Sequence, residues 1–436
     1  MVSVSPKKQY AILAVLVLLS TAFWWHFFGA VSLVGGDSAF YHGTAVSLLE
    51  GKGYMWQGAP TMFREPLYPL FMAAVYLVAG VQLFAVQITQ MFLLFLAACL
   101  TYEIGVRLYS KKLGTVAAIL VAVYPVLNNY TSRIYSEILA CFVVTLLVYF
   151  WVRAAEKQSS YLFFVSGICA GLLILTKVIF LFLPIAVGIA AVKNKKFLLF
   201  VLGAALVVIP WAARNYVQFG IPSIASRSGV VLYVHAIHTT YNLPETGKFL
   251  ASSFFGEYFV RRFVDPNYVF EQDSINIDTF ASSPDAQGVQ SPDEFDMRLS
   301  QAAMKLIAAH PVSYLLWGVL EVHNLYSPLV YAERHFSLFH DNPQEHTILK
   351  VATLLLFDFI WWLFVFLSWY GMYRLVRDKR PGGWLVPLLF LGVSIELLFL
   401  QGYPRSLMPL LPLSLLSAVY AVLVLTPGQT FSFLVQ

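Results

Sequence analysis

Apolar runs of about 20 residues recur along most of this chain and constrain its fold more than any other feature. A run of that length crosses the hydrocarbon core of a bilayer as an α-helix. Hydrophobic residues make up 59% of the 436 residues, and charged residues make up only 12%. Soluble domains carry roughly 25% charged residues. The sequence therefore predicts an all-α polytopic membrane protein.

The hydropathy pattern predicts a bundle of about ten transmembrane helices. They are expected at residues 10–31, 83–108, 113–130, 137–154, 160–176, 178–192, 197–213, 348–376, 383–400 and 405–425. Two further apolar segments, 66–80 and 312–329, would reverse the orientation of the loops that follow if they crossed the membrane. We expect both to lie in the outer interface or dip into it. The alternative, that they span, stays open for each.

Basic residues are concentrated in five short loops, which hold half of the 28 lysines and arginines. The clusters are Lys7/Lys8, Arg107/Lys111/Lys112, Arg153/Lys157, Lys193/Lys195/Lys196 and Arg374/Arg377/Lys379/Arg380. The positive-inside rule makes these loops and the N-terminus cytoplasmic, in the plasma or inner membrane. Another group of ionic residues then faces the opposite, extracytoplasmic side: Asp37, Arg64, Glu137, Lys177, Arg214 and Arg405.

This topology divides the chain into three parts. Residues 1–213 form an N-terminal transmembrane module that includes a first outer loop at 35–82. Residues 214–346 form an extracytoplasmic cap with interfacial helices, and residues 347–436 form the C-terminal transmembrane helices. Within the cap, Ser291-Pro292-Asp293-Glu294 predicts a helix start. That helix is expected to continue to Ala309 and to break at His310-Pro311.

Two acids stand at the outer boundary of the membrane. Asp37 can cap a helix whose apolar stripe includes Tyr41, and a helix cap is its simplest interpretation. A carboxylate at that position can also accept a proton from an attacking hydroxyl. Glu137 heads an apolar run, where an acid is costly unless it faces a cavity. The simple alternative is an ion pair with Arg133, one helical turn away.

Several cations share this side of the membrane. Arg64, next to Glu65, suits a lipid phosphate because a guanidinium binds phosphate in a bidentate manner. Arg214-Asn215 and Arg405 stand at the ends of predicted spans, and Lys177 interrupts an apolar stretch. Each charge alone is equally compatible with snorkelling or anchoring at the interface. Together, cations near two acids indicate a site for a phosphate and a hydroxyl.

A second polar cluster comprises His335, His340, Asp341, Glu345 and His346. Its spacing matches no helical pair of metal ligands. The sequence therefore names no required cofactor and leaves a divalent metal open. It also contains no Gly-rich nucleotide-binding turn and no feature that indicates nucleic-acid binding.

Several motifs together resemble a known family. They are Gly36-Asp37-Ser38-Ala39-Phe40-Tyr41, Arg64-Glu65-Pro66-Leu67-Tyr68-Pro69, Arg133 to Glu137, Thr176-Lys177, Pro210-Trp211-Ala212-Ala213-Arg214-Asn215, His310-Pro311 and Pro404-Arg405. In this order they resemble the C-type (GT-C) glycosyltransferases, and most closely the relatives of protein O-mannosyltransferases and of the lipid A aminoarabinose transferase. The resemblance covers about residues 10–425. It departs from the family where the usual Asp-Glu pair is Asp37-Ser38, and where the second acid, often Asp, is Glu137.

The resemblance implies a GT-C-like bundle that takes a sugar from a polyprenyl-phosphate donor in the lipid bilayer. The acceptor is a hydroxyl of a protein, lipid or glycan outside the cytoplasm, and the anomeric carbon is inverted. Asp37 would match the catalytic acid of the first loop and Glu137 the second acidic position. Arg64 and Arg214 would be the phosphate binders. The full set of residues that we expect to bind substrate is Tyr41, Arg64, Glu65, Arg133, Lys177, Arg214, Asn215 and Arg405. The alternatives from the residues alone are a lipid or sugar transporter (flippase) and a non-catalytic scaffold.

Overall fold

The computed structural model describes residues 5–28, 36–192, 194–255, 257–267, 288, 292–327, 348–400 and 404–426. Almost every element in these ranges is helical, as expected. In chain order the helices are α1 (Pro6–Phe28), α2 (Asp37–Leu49), α3 (Leu67–Ala79), α4 (Leu83–Leu108), α5 (Lys111–Val123), α6 (Pro125–Thr131), α7 (Glu137–Lys157), α8 (Ser160–Ile174), α9 (Phe182–Ala190), α10 (Phe197–Phe219), α11 (Ser228–Ile237), α12 (Leu243–Phe255), α13 (Glu257–Phe263), α14 (Pro292–Ala309), α15 (Pro311–Tyr326), α16 (Ile348–Arg377), α17 (Leu385–Glu396) and α18 (Leu411–Leu425).

Six of the described helices are long and apolar enough to cross a membrane. The number rises to eight if each of two bent helix pairs counts as one span. The expected segment 113–130 is one of these pairs, because α5 and α6 meet at a bend of 51°. Pro125 begins α6, and a proline cannot continue the hydrogen-bond ladder of the helix before it. The polytopic all-α fold is confirmed, whereas the count of about ten spans is not.

Charged side chains gather at the two ends of the bundle. Glu137 begins α7 and Lys157 ends it. Arg107 on α4 pairs with Glu103 on the same helix, and its Nε lies 3.8 Å from Glu156 Oε2 near the end of α7. The rise of an α-helix separates Glu137 from Glu156 by about 28 Å. The acid at one end of α7 is thus remote from the basic cluster at the other.

The first outer loop carries two short helices and a small hairpin. Gly36 precedes α2 with φ of 68°, and no side chain caps the helix. Asp37 is therefore the first residue of α2 and not its cap, so the expected capping role is wrong. Strands Met55–Trp56 and Ala59–Pro60 pair in antiparallel orientation, with Trp56 opposite Ala59. The 13-residue α3 packs against α2 and α4, and is shorter than a typical span.

Two hydrogen bonds hold the first outer loop against the segment that follows α8. The backbone N–H of Leu67 donates to the carbonyl of Leu175, at 2.9 Å. Glu65 Oε1 accepts the backbone N–H of Val178, also at 2.9 Å. Val178 begins a short 3₁₀ helix directly after Lys177. These two bonds therefore place Arg64 and Lys177 at the same rim of the bundle.

In the cap, α14 ends at Ala309 and α15 begins at Pro311, with a bend of 110° between them. The predicted helix and its break at His310-Pro311 are therefore confirmed. Helix α11 packs against α14. Gly229 permits this contact, since a Cβ there would lie 1.9 Å from the carbonyl oxygen of Asp296.

Helices α8 and α10 pack closely against each other, and two glycines allow it. A Cβ on Gly167 would lie 2.1 Å from the carbonyl oxygen of Phe200, and a Cβ on Gly203 would lie 2.3 Å from that of Phe164. We expect Gly203→Val to lower stability by roughly 1–3 kcal/mol, because neither backbone can yield without opening the interface. Thermal unfolding of the purified protein in detergent would measure the loss.

Gly247→Val is the matched control, because Gly247 lies in α12 and a Cβ there meets nothing within 4 Å. It should leave the melting temperature almost unchanged. Equal melting temperatures for the two variants would show that α8 and α10 do not pack through these glycines.

Candidate active site

Asp37 is the centre of an ionic cluster formed by residues from distant parts of the chain. Arg64 Nη2 donates to its Oδ1 atom, and Arg405 Nη2 donates to its Oδ2 atom at 2.9 Å. Arg227 Nη1 lies 3.5 Å from Oδ1. The Asp37 side chain is only 12% exposed. Three guanidinium groups therefore surround one carboxylate at the start of α2.

Arg405 connects this cluster to the second acid. Its Nε lies 3.8 Å from Glu137 Oε1, and that same oxygen accepts a hydrogen bond of 3.0 Å from Lys177 Nζ. Glu137 is 2% exposed. It pairs with Lys177 and Arg405, and no ion pair with Arg133 occurs within the described residues. The expectation that Asp37, Arg64, Glu137, Lys177 and Arg405 face one side is thus met by direct contacts.

A cavity of about 560 Å³ lies beside this cluster. Its charged lining consists of Arg64, Glu65, Lys177, Arg227, Glu396 and Arg405. Apolar residues of α11, of the segment that follows α17 and of the 3₁₀ helix after Lys177 complete the wall, among them Val230, Leu397 and Ile179. The cavity is therefore cationic on one part of its wall and apolar on another, which suits an amphiphilic phosphate.

The electrostatics of the cluster favour an anionic ligand. Burial lowers the pKa of Arg64 well below its ordinary value, and the neighbouring Arg227 and Arg405 lower it further. Repulsion among these guanidinium groups is relieved by any anion placed between them. In this structure Asp37 supplies that negative charge.

Tyr41 lies behind the cluster and is buried. Its ring packs edge-on against Tyr68 of α3, with the ring centroids 4.8 Å apart. Tyr41 therefore joins α2 to α3 within the first outer loop.

Arg214 and Asn215, expected to bind substrate, contact the first outer loop and the chain after α10. Arg214 Nη1 donates to the carbonyl of Thr61 at 2.9 Å and to Asn215 Oδ1 at 2.8 Å, while its guanidinium stacks over Trp211. Asn215 is fully buried and donates to the carbonyl of Ser223 at 2.7 Å. These contacts tie the end of α10 to the first outer loop. Neither residue lines the cavity.

Arg133 also points elsewhere: its guanidinium lies over the ring of Tyr130, with 5.5 Å from Cζ to the ring centroid. The histidine cluster at 335–346 lies outside the described residues. In the part of the chain that is described, no group of three His, Cys, Asp or Glu side chains has the arrangement needed to hold a metal.

Arg227 is a cavity residue that sequence reasoning missed. It precedes α11 in the cap, far along the chain from the first outer loop. The polar stretch Ser226-Arg227-Ser228 before an apolar helix was the available signal. Glu396, at the end of α17 and within the predicted span 383–400, lines the cavity as well.

The comparisons with known proteins agree with this architecture. Residues 61–213 match the sequence model of the family described as dolichyl-phosphate-mannose-protein mannosyltransferase. The matched segment contains Arg64, Glu65, Arg133, Glu137 and Lys177. It begins after Asp37 and ends directly before Arg214. A search of curated protein sequences gives no significant match.

Among solved structures, the archaeal oligosaccharyltransferase of Archaeoglobus fulgidus has a similar fold. Its apo form has a TM-score of 0.52 at 13% identity, with 96% of this chain and 50% of that chain covered. The form called AglB, in complex with an inhibitory peptide and a dolichol-phosphate, has a TM-score of 0.50 at 14% identity and the same coverage. This chain therefore spans half the length of that protein.

A weaker match is ArnT from Cupriavidus metallidurans bound to undecaprenyl phosphate. Its TM-score is 0.42 at 12% identity, with 94% of this chain and 78% of that chain covered.

The Glu137–Lys177 pair yields a prediction on stability. Lys177→Met removes the nearest cation from a buried carboxylate, which should cost roughly 3–5 kcal/mol. The double variant Lys177→Met/Glu137→Gln should recover most of that loss, because no uncompensated charge is left. Thermal unfolding in detergent checks both.

Lys52→Met is the control, since the Lys52–Glu50 pair is exposed on both sides and should contribute about 0–1 kcal/mol. An equal loss of stability in Lys177→Met and in Lys177→Met/Glu137→Gln would mean that Lys177 does not stabilise the protein by compensating the charge of Glu137.

Proposed function

We propose that this chain is an inverting membrane glycosyltransferase of the GT-C type that takes its sugar from a polyprenyl-phosphate donor. The family match over residues 61–213 and the similar fold support this proposal. The acceptor is a hydroxyl group of a protein, lipid or glycan on the extracytoplasmic face. The observation that carries the proposal is the convergence of Asp37, Glu137 and four cations beside one cavity that is partly apolar.

The cations suit the phosphate of the donor. Arg64, Arg227, Arg405 and Lys177 all line the cavity, and guanidinium groups bind phosphate oxygens through paired, charge-assisted hydrogen bonds. These groups also stabilise the negative charge that develops on the departing phosphate, and such preorganised electrostatics is usually the largest catalytic contribution. A donor whose tail lies in lipid keeps its head group at the interface, which is where this rim lies.

Asp37 is the proposed general base. The acceptor oxygen attacks the anomeric carbon from the face opposite the phosphate, and a new C–O bond forms as the bond from that carbon to the phosphate oxygen breaks. The proton of the acceptor hydroxyl passes to the Asp37 carboxylate, and polyprenyl phosphate leaves with the bonding electrons. Positioned proton transfer of this kind contributes typically about 10²–10⁴-fold in rate.

The donor phosphate would also prepare Asp37 for this role. Without donor, the carboxylate is held by three guanidinium groups, which makes it a weak base. A bound phosphate competes for the same groups and releases the carboxylate to accept a proton. The proposed order is therefore donor first and acceptor second.

Glu137 has a supporting role in this proposal. It is buried, and its Oε1 atom contacts both Lys177 and Arg405. It thereby fixes the orientation of two phosphate-binding groups while Asp37 reacts. Glu65 acts similarly, since its bond to the N–H of Val178 holds the segment that presents Arg64.

The orientation of the protein follows from the placement of its charges. The basic loops lie at the end of α7 remote from Glu137, and the positive-inside rule assigns that end to the cytoplasm. The N-terminus then lies in the cytoplasm and the cavity opens to the outside or periplasm. Residues 214–346 form the cap that selects the acceptor, and residues 1–213 form the catalytic module.

Asp37→Asn tests the proposal. We expect it to reduce sugar transfer by about 10²-fold or more, because the amide cannot accept the proton. Cells that lack the chain would be complemented with the wild type or the variant. Mass spectrometry of lipid extracts and glycoconjugates would then follow the polyprenyl-phosphate sugar, which should accumulate with the variant. The purified variant should bind undecaprenyl phosphate at least as well as the wild type, because the competing carboxylate is neutralised.

Glu50→Gln is the matched control, since Glu50 directly follows α2, is exposed and pairs only with Lys52 among the described residues. It should transfer sugar normally. Full transfer by Asp37→Asn would remove Asp37 from the mechanism. Movement of lipid across vesicles by the wild type without any transfer would favour a flippase instead.

A further inference from the structure

Arg227 reaches the cavity from the cap, and the segment around it is held by contacts that the proposed function does not use. Ser226 N–H donates to the carbonyl of Met62 at 2.9 Å. The Ser226 hydroxyl donates to Asp293 Oδ1, and Asp293 Oδ2 accepts from the Thr61 hydroxyl at 3.4 Å. Asp293 thus joins the segment before Arg227 to the first outer loop.

The segment after Arg227 is held by a second acid on the same helix. Asp296 Oδ2 accepts the N–H of Gly229 at 2.9 Å, and Oδ1 accepts the N–H of Val230 at 2.8 Å. Asp296 is 3% exposed. These N–H groups belong to the first turn of α11, where no intrahelical acceptor exists. A carboxylate at this end also interacts favourably with the helix dipole.

Close packing makes the arrangement specific. The backbones of α11 and α14 touch at Gly229, where any Cβ would meet the carbonyl of Asp296. Asp293 and Asp296 are three residues apart and therefore lie on one face of α14. Contacts on both sides thus leave the backbone of Arg227 little freedom, and its side chain extends to Asp37 and the cavity.

We propose that Asp293 and Asp296 form a clamp that positions Arg227 in the phosphate site. Asp296 does not touch the cavity and acts only through Arg227. The Asp296 carboxylate already accepts hydrogen bonds from the N–H groups of Gly229 and Val230 at the start of α11. These N–H groups therefore do not bind the phosphate, whereas the guanidinium of Arg227 does. The clamp makes the site complete only when the cap is docked on the first outer loop. This inference rests on the proposed function, because it assumes that the cavity binds the phosphate of a polyprenyl donor.

A double-mutant cycle tests the clamp, with undecaprenyl phosphate as the probe and undecaprenol as the control without a phosphate. Binding is measured on the purified full chain in detergent. We expect Asp296→Ala to weaken binding of the phosphate by about 10-fold, and Asp296→Asn, which keeps one acceptor oxygen, to weaken it less. Arg227→Gln should weaken it at least as much. The variant with both Asp296→Ala and Arg227→Gln should bind no worse than Arg227→Gln alone.

Additive losses in the double variant would overturn the proposal, because Asp296 would then act independently of Arg227. Unchanged binding by Asp296→Ala would also overturn it. Glu294→Gln is the matched control, since Glu294 lies on the same helix, pairs with Arg298 and does not line the cavity. It should bind the probe like the wild type.

Hydrogen exchange separates this inference from the proposed function. If the wild type does not bind undecaprenyl phosphate, the proposed donor is wrong, yet the clamp can still be decided. Asp296→Ala should speed amide exchange in peptides that cover Gly229 and Val230, and it should leave the melting temperature of the transmembrane helices unchanged. Exchange at the wild-type rate would overturn the clamp.

Discussion

The contact of Arg405 with both Asp37 and Glu137 is the interaction on which the rest of the site depends. It joins the start of α2, the start of α7 and the 3₁₀ helix before α18. An acid as buried as Glu137 is costly in a membrane protein unless a cation compensates it. Arg405 and Lys177 supply that compensation, and the same two cations face the cavity. The cations that compensate the buried acids are thus the same cations that a bound phosphate would contact.

This double role of the cations explains why the charged residues lie at the rim of the bundle and not within it. At the rim, the guanidinium groups of Arg64, Arg227 and Arg405 line one part of the cavity, and apolar residues line another. Hydrogen bonds to main-chain carbonyls hold the first outer loop and the cap at this rim. The N–H of Leu67 donates to Leu175, the N–H of Ser226 to Met62, and the guanidinium of Arg214 to Thr61. Bonds to main-chain atoms leave the cavity side chains available for a ligand. Arg214 and Asn215 illustrate the division, since residues that looked like ligands hold the frame of the site.

The pattern of charge predicted which of several distant ionic residues lie together in the structure. Asp37, Arg64, Glu137, Lys177 and Arg405 were assigned to one face because basic loops marked the other, and they lie together. Arg214 was assigned by the same reasoning, and Arg133 was expected to bind substrate, but their guanidinium groups point to backbone carbonyls or aromatic rings. Membrane topology specifies the side on which a residue lies, whereas the direction of a side chain depends on its neighbours. The sequence analysis did not identify Arg227 as a site residue, because Arg227 does not adjoin the end of a predicted span.

By itself, the sequence determined the class of fold, the segregation of charge between the two ends of the bundle, and the helix break at His310-Pro311. These properties follow from local hydropathy and backbone chemistry, which are readable along a chain. Only the tertiary structure decided that Glu137 pairs with Lys177 and not with Arg133, that Asp37 begins α2 without capping it, and that Arg227 completes the cluster. Such pairings join residues up to 368 positions apart. They are fixed by how the helices pack, and no local pattern carries that information.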